Sequence, residues 1–206
     1  MGCCSLNLCF IDQLIARTGR DLSLQMRLIH VHFFMKWPDR KLNRLGDFDY
    51  NRDALYFVTS CVKDKTCVFG GVVNEEMQLN AYGRIAARQW DWLAEQYPYV
   101  LLHAFVVMPN HVHGILEIDR DLSAQRPDDE TIYTSRINKI KSLSELMGVY
   151  KTTTSKQIRA AGLPEFAWQR SFHDHIIRHD RAYFLIKNYI LSNPQKWRED
   201  VLYQQM

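Results

Sequence analysis

The sequence predicts an α+β fold of the ferredoxin-like or RRM-like type, in which an antiparallel sheet carries helices on one face. Stretches rich in β-forming residues alternate with amphipathic stretches of helical period. Their order is strand, hairpin, helix, strand, strand, helix, strand and helix, with no internal repeat. With 206 residues, the chain is long enough to bury one well-packed core.

We expect one domain over residues 35–206, preceded by an N-terminal extension over residues 1–34. The extension fits poorly with the pattern that follows it, and Met35 stands directly before a basic segment, Lys36–Arg44, as a candidate start. A His-Val-His tripeptide, His30–His32, lies inside the extension. Nothing like Met-Pro-Asn precedes it, so it is not predicted to bind a ligand.

The first half of the predicted domain contains strands and one helix. Leu55–Val62 is rich in β-forming residues and is predicted to be a central strand. Val68–Val73 and Met77–Leu79 are predicted to form a small hairpin or meander. Asn80 is a suitable N-cap for a helix that ends near Pro98. The apolar stripe of this helix is Tyr82, Ile85, Ala86, Trp90 and Leu93.

The second half is predicted to contain a polar loop, two helices and the last strand. Ser142–Glu145 has the spacing of a capping box, which predicts the start of the first of these helices. Pro194 is expected to end the second one. The predicted bounds are Asp119–Glu130 for the loop, 142–162 for the first helix, Phe166–Trp168 for the strand and Asp180–Asn193 for the second helix.

The composition is that of a soluble globular protein, with 47% hydrophobic and 24% charged residues. No apolar run reaches the roughly 18 residues of a membrane span, so no membrane partner is expected. Twelve of the 26 basic residues but six of the 23 acidic residues lie after position 130. This basic C-terminal part suits a polyanionic partner, although a solvated surface explains such a bias equally well. The five cysteines contain no CxxC pair and predict no cysteine zinc site, and a cytoplasmic protein is expected.

The stretch Val100–Ile118 carries the strongest chemical signal. Its first apolar run stops at Pro109, which forces a turn or bend, and a second run begins at His111. If 111–118 is a strand, alternation places His111 and His113 on one face and apolar residues on the other. Two imidazoles at adjacent positions of one face can bind one metal ion. The alternative is two hydrogen-bonded polar side chains at a sheet surface.

Tyr189 and Asn193 form a second candidate pair. They are four residues apart in a predicted helix, so they share a face with Cβ atoms about 5–6 Å apart. With a metal ion nearby, the phenolate could attack a phosphorus and the Asn193 carbonyl could join the metal ligands. The alternatives are an ordinary core aromatic and an asparagine that ends a helix before Pro194.

A third cluster, Trp168–His175, contains two histidines separated by one aspartate. These histidines could be metal ligands, but a turn with side chains hydrogen-bonded to the backbone is the stronger interpretation. Arg170 and Arg178 are candidates for phosphate contacts. Lys151 and Lys156, in the basic part of the chain, are further candidates for binding nucleic acid.

Three ordered motifs together resemble the REP-associated tyrosine transposases, which belong to the HUH single-tyrosine superfamily. The motifs are Met108–Gly114 (Met-Pro-Asn-His-Val-His-Gly), Trp168–His175 and Tyr189–Pro194 (Tyr-Ile-Leu-Ser-Asn-Pro). The resemblance extends over about residues 36–198 and includes no part of the N-terminal extension.

This resemblance implies that His111 and His113 bind a divalent ion, Mg²⁺ or Mn²⁺, with Asn193 as third ligand and Tyr189 as nucleophile. The implied activity is cleavage and rejoining of single-stranded or hairpin DNA through a 5′-phosphotyrosine, and the superfamily allows a homodimer. Two alternatives stay open. One is a non-catalytic nucleic-acid-binding module on the same fold, and the other is a metal-dependent phosphoesterase for small molecules.

Overall fold

A computed structural model describes residues 53–124 and 140–203, and the structural statements below concern these residues. The predicted N-terminal extension, the Lys36–Arg44 segment and the end of the predicted loop after Asp119 lie outside them.

Six strands and four α-helices follow one another along this part of the chain. The strands are β1 (Ala54–Cys61), β2 (Gly70–Val73), β3 (Glu76–Leu79), β4 (Val100–Val107), β5 (His111–Ile118) and β6 (His173–Ile177). The α-helices are α1 (Ala81–Gln96), α2 (Asp121–Ala124), α3 (Leu143–Ala160) and α4 (Asp180–Ser192), and 3-10 helices cover Lys63–Lys65 and Pro194–Glu199. None of the described helices combines the length and the apolar character needed to span a membrane.

Four strands form one antiparallel sheet in the order β4, β5, β1, β6, while β2 and β3 form a separate hairpin. Helix α1 connects β1 to β4, and β5 returns from β4 into the gap between them. Helix α3 precedes β6, which pairs with the other side of β1. This is the β-α-β-β-α-β order of the ferredoxin-like fold. The predicted α+β class with an antiparallel sheet is confirmed.

The two faces of the sheet carry separate apolar layers. Tyr56 and Val58 of β1 point to the face that α1 and α3 cover. Phe57 points to the opposite face, where it packs with Ile115 of β5 and Ile186 of α4. The prediction placed the helices on one face, and the structure differs in this detail. Because β1 and β5 present apolar side chains on both faces, a helix is needed on each side to bury them.

The Phe166–Trp168 stretch is not the last strand of the sheet, and that prediction is wrong. Trp168 forms a single bridge with Val62, and the last strand is β6. The rings of Phe166 and Trp168 both pack against Phe69. Aromatic residues favour strands because they suit a half-buried pleated surface, and here a core position outside the ladder provides the burial.

Local signals in the sequence determine where the helices begin. Asn80 accepts hydrogen bonds from two backbone N–H groups in the first turn of α1, and Ser142 forms the predicted capping box of α3. Helix α4 differs from the prediction, because His179 rather than Asp180 is its N-cap. The Nδ1 atom of His179 accepts the backbone N–H of Ala182 at 3.1 Å.

Gly114 of β5 lies beneath a stack of aromatic rings. Trp90 stacks on Phe105 with ring centroids 4.6 Å apart and 8° between the ring planes. A Cβ atom at position 114 would lie 2.5 Å from Cζ2 of Trp90 and 3.0 Å from Cδ2 of Phe105. The close approach of these rings therefore requires glycine at this position.

We expect Gly114→Ala to lower the free energy of unfolding by about 1–3 kcal/mol, because the added methyl group overpacks the core. Gly148→Ala is the matched control, since a Cβ atom at this α3 position meets no atom within 4 Å. That substitution should raise the free energy of unfolding by about 0.5–1 kcal/mol. Urea denaturation followed by circular dichroism measures both, and a wild-type midpoint for Gly114→Ala would contradict the packing described.

Candidate active site

Two histidines at the start of β5 face each other beneath α4. The register between β1 and β5 places His111 opposite Cys61 and His113 opposite Thr59. Both histidines lie on the face of the sheet that carries Phe57, as the predicted alternation requires. Both side chains are fully buried, and their Nε2 atoms are 3.0 Å apart. Two nitrogens bound at about 2.1 Å to one ion, at a right angle, would be about 3.0 Å apart. The pair therefore has the spacing of two ligands of one metal ion.

Asn110 determines which nitrogen of His111 carries the proton. Nδ2 of Asn110 donates to the carbonyls of Lys65 at 3.0 Å and Leu202 at 2.8 Å. Its Oδ1 therefore faces Nδ1 of His111, at 2.8 Å, and this oxygen can only accept. The proton of His111 is thus on Nδ1, and Nε2 presents a lone pair.

Thr59 supports His113 from the neighbouring strand. Its Oγ1 lies 2.7 Å from Nδ1 of His113. A hydroxyl both donates and accepts, so Thr59 fits either tautomer of this histidine. His113 can donate from Nε2 to His111, or it can donate from Nδ1 to Thr59 and offer Nε2 to a metal ion. His113 can change between these arrangements without moving its ring.

Burial keeps both imidazoles neutral. It lowers the pKa of His111 from 6.5 to about 3. It also lowers the pKa of His113 well below its usual range, and positive charge on His111 lowers it further, whereas Asp200 acts in the opposite direction. Neutral imidazole is the form that binds a metal ion.

Tyr189 of α4 lies directly beside the histidine pair. Its hydroxyl oxygen is 3.3 Å from Nε2 of His113, and its ring packs edge-on against Phe57. Burial raises the pKa of Tyr189 above its usual value of 10, the charge of Asp200 raises it further, and a hydrogen bond with the Asn193 side chain lowers it. The side chain is therefore a neutral phenol at pH 7 unless a cation approaches it.

Asn193 lies one residue beyond the end of α4 and is 3% exposed. Its side chain makes no capping hydrogen bond to the 3-10 helix that follows. Its Oδ1 is buried and has no hydrogen-bond partner among the described residues. Buried acceptors are nearly always paired, so this oxygen suits a position that a cation or a water molecule would satisfy.

Asp200, which the sequence analysis did not single out, completes a cluster of three candidate metal ligands. One carboxylate oxygen of Asp200 and one nitrogen from each of His111 and His113 lie within 4.8 Å of one another. Imidazole and carboxylate together are a suitable donor set for a divalent ion. The residues present therefore fit a divalent ion, with Asn193 as a further oxygen donor next to Tyr189.

The C-terminal segment, Pro194–Tyr203, covers this cluster. The ring of Trp197 lies 6.0 Å from the ring of His111, and the side chain of Leu202 is 1% exposed in the same apolar layer. Because the segment folds back over the start of β5, the carboxylate of Asp200 reaches the histidines.

Three of the four residues predicted to bind nucleic acid lie together. Lys151, Lys156 and Arg170 line a cavity of about 560 Å³ between α3 and the loop that precedes β6, and Arg159 joins them. Arg178 does not line this cavity, because it follows the far end of β6. The structure therefore separates Arg178 from the other three.

Lys151 contacts the protein itself rather than facing the cavity with a free charge. Its Nζ donates to the backbone carbonyls of residues 169–171. An ammonium group has three donors, so these contacts engage all of them. Burial also lowers the pKa of Lys151 to about 8. Lys151 thus anchors the loop, and Lys156, Arg159 and Arg170 supply the charges of the cavity.

The cavity and the histidine pair lie at the same end of the sheet, on opposite faces. The backbone N–H of Gln169, which lines the cavity, donates to the carbonyl of Cys61 at 2.8 Å. Cys61 in turn lies opposite His111 in the sheet. Only the end of β1 therefore separates the two features.

The histidines of the Trp168–His175 cluster belong to β6, so the predicted turn is wrong. His173 lies opposite Thr59, and His175 lies opposite Phe57. In the described part of the chain, neither belongs to a group of three side chains that could hold a metal ion.

Sequence reasoning missed Thr59, Asn110 and Asp200. Alternation along β1 would have found Thr59 once its register with β5 was known, and Asn110 precedes the first histidine directly. Asp200 carries no local signal, because its position depends on how the C-terminal segment folds back.

Comparisons with known proteins identify two similar proteins of Haemophilus influenzae and a similar solved structure. An uncharacterised protein of Haemophilus influenzae is 33% identical over 168 residues, which cover 80% of this chain and 93% of that protein. A second H. influenzae protein, named "Putative REP-associated tyrosine transposase", is 24% identical over 148 residues, which cover 72% of this chain and 74% of the relative. A solved REP-associated tyrosine transposase bound to a REP hairpin is 19% identical, covers 72% of each chain and has a TM-score of 0.46.

No family model matches the sequence. The uncharacterised H. influenzae protein is 33% identical over most of both chains, which establishes that the two proteins are homologous. The chain therefore belongs to the same family as this uncharacterised H. influenzae protein, and it is similar to a second H. influenzae protein that is named for the REP-associated tyrosine transposases.

Proposed function

We propose that this protein is a metal-dependent endonuclease and transesterase for single-stranded DNA, acting as a transposase or as a domesticated relative of one. The position of Tyr189 carries the proposal. Its hydroxyl lies 3.3 Å from Nε2 of His113, which faces Nε2 of His111 at 3.0 Å. A nucleophile beside a pair of metal ligands is the arrangement that attack on a phosphodiester needs. The relative named for a tyrosine transposase supports the same activity.

In the proposed reaction, the phenolic oxygen of Tyr189 attacks the phosphorus of the scissile phosphodiester. A bond from phosphorus to this oxygen forms while the bond from phosphorus to the 3′ oxygen breaks. The phenol loses its proton and the departing 3′ oxygen gains one, which leaves a 5′-phosphotyrosine and a free 3′-hydroxyl. One phosphodiester replaces another, so attack by a 3′-hydroxyl reseals a strand without ATP.

His111, His113 and Asp200 would hold a divalent ion, Mg²⁺ or Mn²⁺, with Asn193 as a further candidate. When bound, such an ion would polarise the scissile phosphate and offset the charge that develops on it. The chain itself orients the nucleophile. The rings of Phe57 and His113 hold the phenol of Tyr189.

His111 and His113 have no exposed surface, so DNA can reach this site only if part of their cover moves, and we propose that the C-terminal segment does so. Asp200 belongs to that segment and would move with it. Asn193 directly follows α4 and would keep its position relative to Tyr189. We therefore propose that Asn193 replaces Asp200 as the oxygen ligand when DNA is bound.

The cavity between α3 and the loop before β6 is the proposed binding surface for a DNA hairpin. Lys156, Arg159 and Arg170 supply positive charge there, and Thr152 and Ser155 add hydroxyl groups. Such groups bind the phosphate backbone without reading its sequence. The cavity lies at the same end of the sheet as the histidine pair, so a hairpin bound there would present its adjoining single strand to the site.

We expect Tyr189→Phe to abolish strand cleavage and to leave hairpin binding unchanged, because the substitution keeps the ring and removes only the nucleophilic oxygen. Tyr183→Phe is the matched control on the same helix, where the hydroxyl contacts His103 instead of the histidine pair. A denaturing gel of end-labelled hairpin DNA with Mn²⁺ measures cleavage. Cleavage by Tyr189→Phe at a rate near that of the wild type would refute the assignment.

The proposed metal ligands can be tested through the dependence of cleavage on Mn²⁺ concentration. His111→Ala and His113→Ala should remove metal-dependent cleavage, whereas His30→Ala, in the other His-Val-His tripeptide, should not.

If Asn193 is a ligand during cleavage, Asn193→Leu should raise the Mn²⁺ concentration required by about tenfold or more, and Asn193→Asp should retain activity. A Leu variant that melts far lower but keeps the Mn²⁺ dependence of the wild type would make Asn193 a purely structural residue.

Binding of hairpin DNA should depend on the charges of the cavity. Lys156→Ala and Arg170→Ala are each expected to weaken binding and to reduce the slope of log affinity against log salt by about 1. Arg178→Ala, which removes an exposed charge outside the cavity, should change neither value. Fluorescence anisotropy at several salt concentrations provides the measurement, and an effect confined to Arg178→Ala would move the binding surface to the other end of β6.

A further inference from the structure

We infer that Asn110 is a positioning residue that sets the tautomer of His111 and ties the C-terminal segment to the proposed metal site. This inference rests on the proposed metal site and concerns how the chain prepares it. Asn110 is 1% exposed and directly precedes His111. Its side-chain amide joins three parts of the chain, namely the loop after β1, the start of β5 and the C-terminal segment.

The orientation of the Asn110 amide is determined by its partners. Both of the acceptors that Nδ2 contacts, on Lys65 and Leu202, are backbone carbonyl oxygens. A flipped amide would set its own oxygen against these two carbonyls, and would also set an N–H donor against Nδ1 of His111. Only the observed orientation satisfies all three contacts at once, and it requires the proton of His111 on Nδ1.

This orientation prepares His111 as a ligand. With its proton held on Nδ1 by Asn110, the imidazole presents its Nε2 lone pair toward Nε2 of His113. Partners of this kind orient the ligand ring and raise its basicity, and their loss typically weakens metal binding 10- to 100-fold.

The second consequence concerns Asp200. Asn110 holds the carbonyl oxygen of Leu202, and the carboxylate of Asp200 accepts the backbone N–H of the same residue at 2.7 Å. Leu202 is therefore held from both sides. A continuous chain of hydrogen bonds runs from Asn110 through Leu202 to Asp200, which keeps the carboxylate next to the histidines.

A simpler reading is that Asn110 is an ordinary turn residue after Pro109. The two readings make different predictions for the imidazole of His111. A turn residue affects stability alone, whereas a positioning residue changes the tautomer of His111 and the metal affinity of the folded protein.

The test measures the tautomer of His111 and the affinity for Mn²⁺ in the full-length protein without DNA. Long-range ¹⁵N–¹H spectra of the imidazoles, recorded without added metal, should show the proton of wild-type His111 on Nδ1. Asn110→Ala should give mixed tautomers and weaken Mn²⁺ binding, measured by calorimetry, about 10- to 100-fold. Asn110→Asp keeps an acceptor for Nδ1–H, so it should retain the tautomer and lose less affinity than Asn110→Ala.

Asn80→Ala is the control, since it removes the N-cap of α1 and should lower stability without changing either readout. A proton on Nε2 in wild-type His111 would overturn the inference, whatever the variants do. Unchanged Mn²⁺ affinity in folded Asn110→Ala would overturn it as well. If the alanine variant does not fold, a proton on Nε2 of His111 in Asn110→Asp would overturn it instead. A wild-type protein that cleaves hairpin DNA but binds no Mn²⁺ would overturn the metal site and this inference, and would leave the tyrosine nucleophile standing.

Discussion

The antiparallel register between β1 and β5 is the constraint on which the rest of the site depends. It sets Thr59 opposite His113 and directs the histidines to the α4 face, while Gly114 faces α1 and α3. A slip of one residue would turn both histidines into the apolar layer under α1 and α3. The ring of Trp90 opposes such a slip, because it lies so close to position 114 that only glycine fits there. Core packing on one face thus positions the chemistry on the other.

Polar groups in an apolar interior are costly unless they are paired, and the site satisfies this requirement almost completely. The imidazoles of His111 and His113 contact each other, and Asn110 and Thr59 provide the outer hydrogen bonds. Oδ1 of Asn193 has no partner among the described residues. A buried network with one open acceptor next to a buried phenol leaves a place for a ligand.

Much of the fold and half of the site could be predicted because they depend on short-range patterns. Alternation in β5 predicted the shared face of the two histidines, and helical spacing placed Asn193 one turn after Tyr189. The position of Asp200 beside the histidines could not be predicted, because it arises from a return of the chain that no local signal encodes. Lys151 was assigned to DNA from its charge alone, whereas its three donors are used by a loop about twenty residues away. Charge and hydrophobic periodicity can be recognised in a sequence, whereas tertiary contacts determine which polar groups pair with one another.

The central claim is that the phenol of Tyr189, beside the histidine pair, becomes covalently attached to DNA. The most direct measurement is to incubate the wild-type protein with labelled hairpin DNA and Mn²⁺, isolate the adduct on a denaturing gel, and locate the nucleotide by peptide mass spectrometry. The account predicts a metal-dependent adduct in which a 5′-phosphate is esterified to Tyr189. An adduct on a different residue, or cleavage that yields no protein-bound DNA, would contradict it.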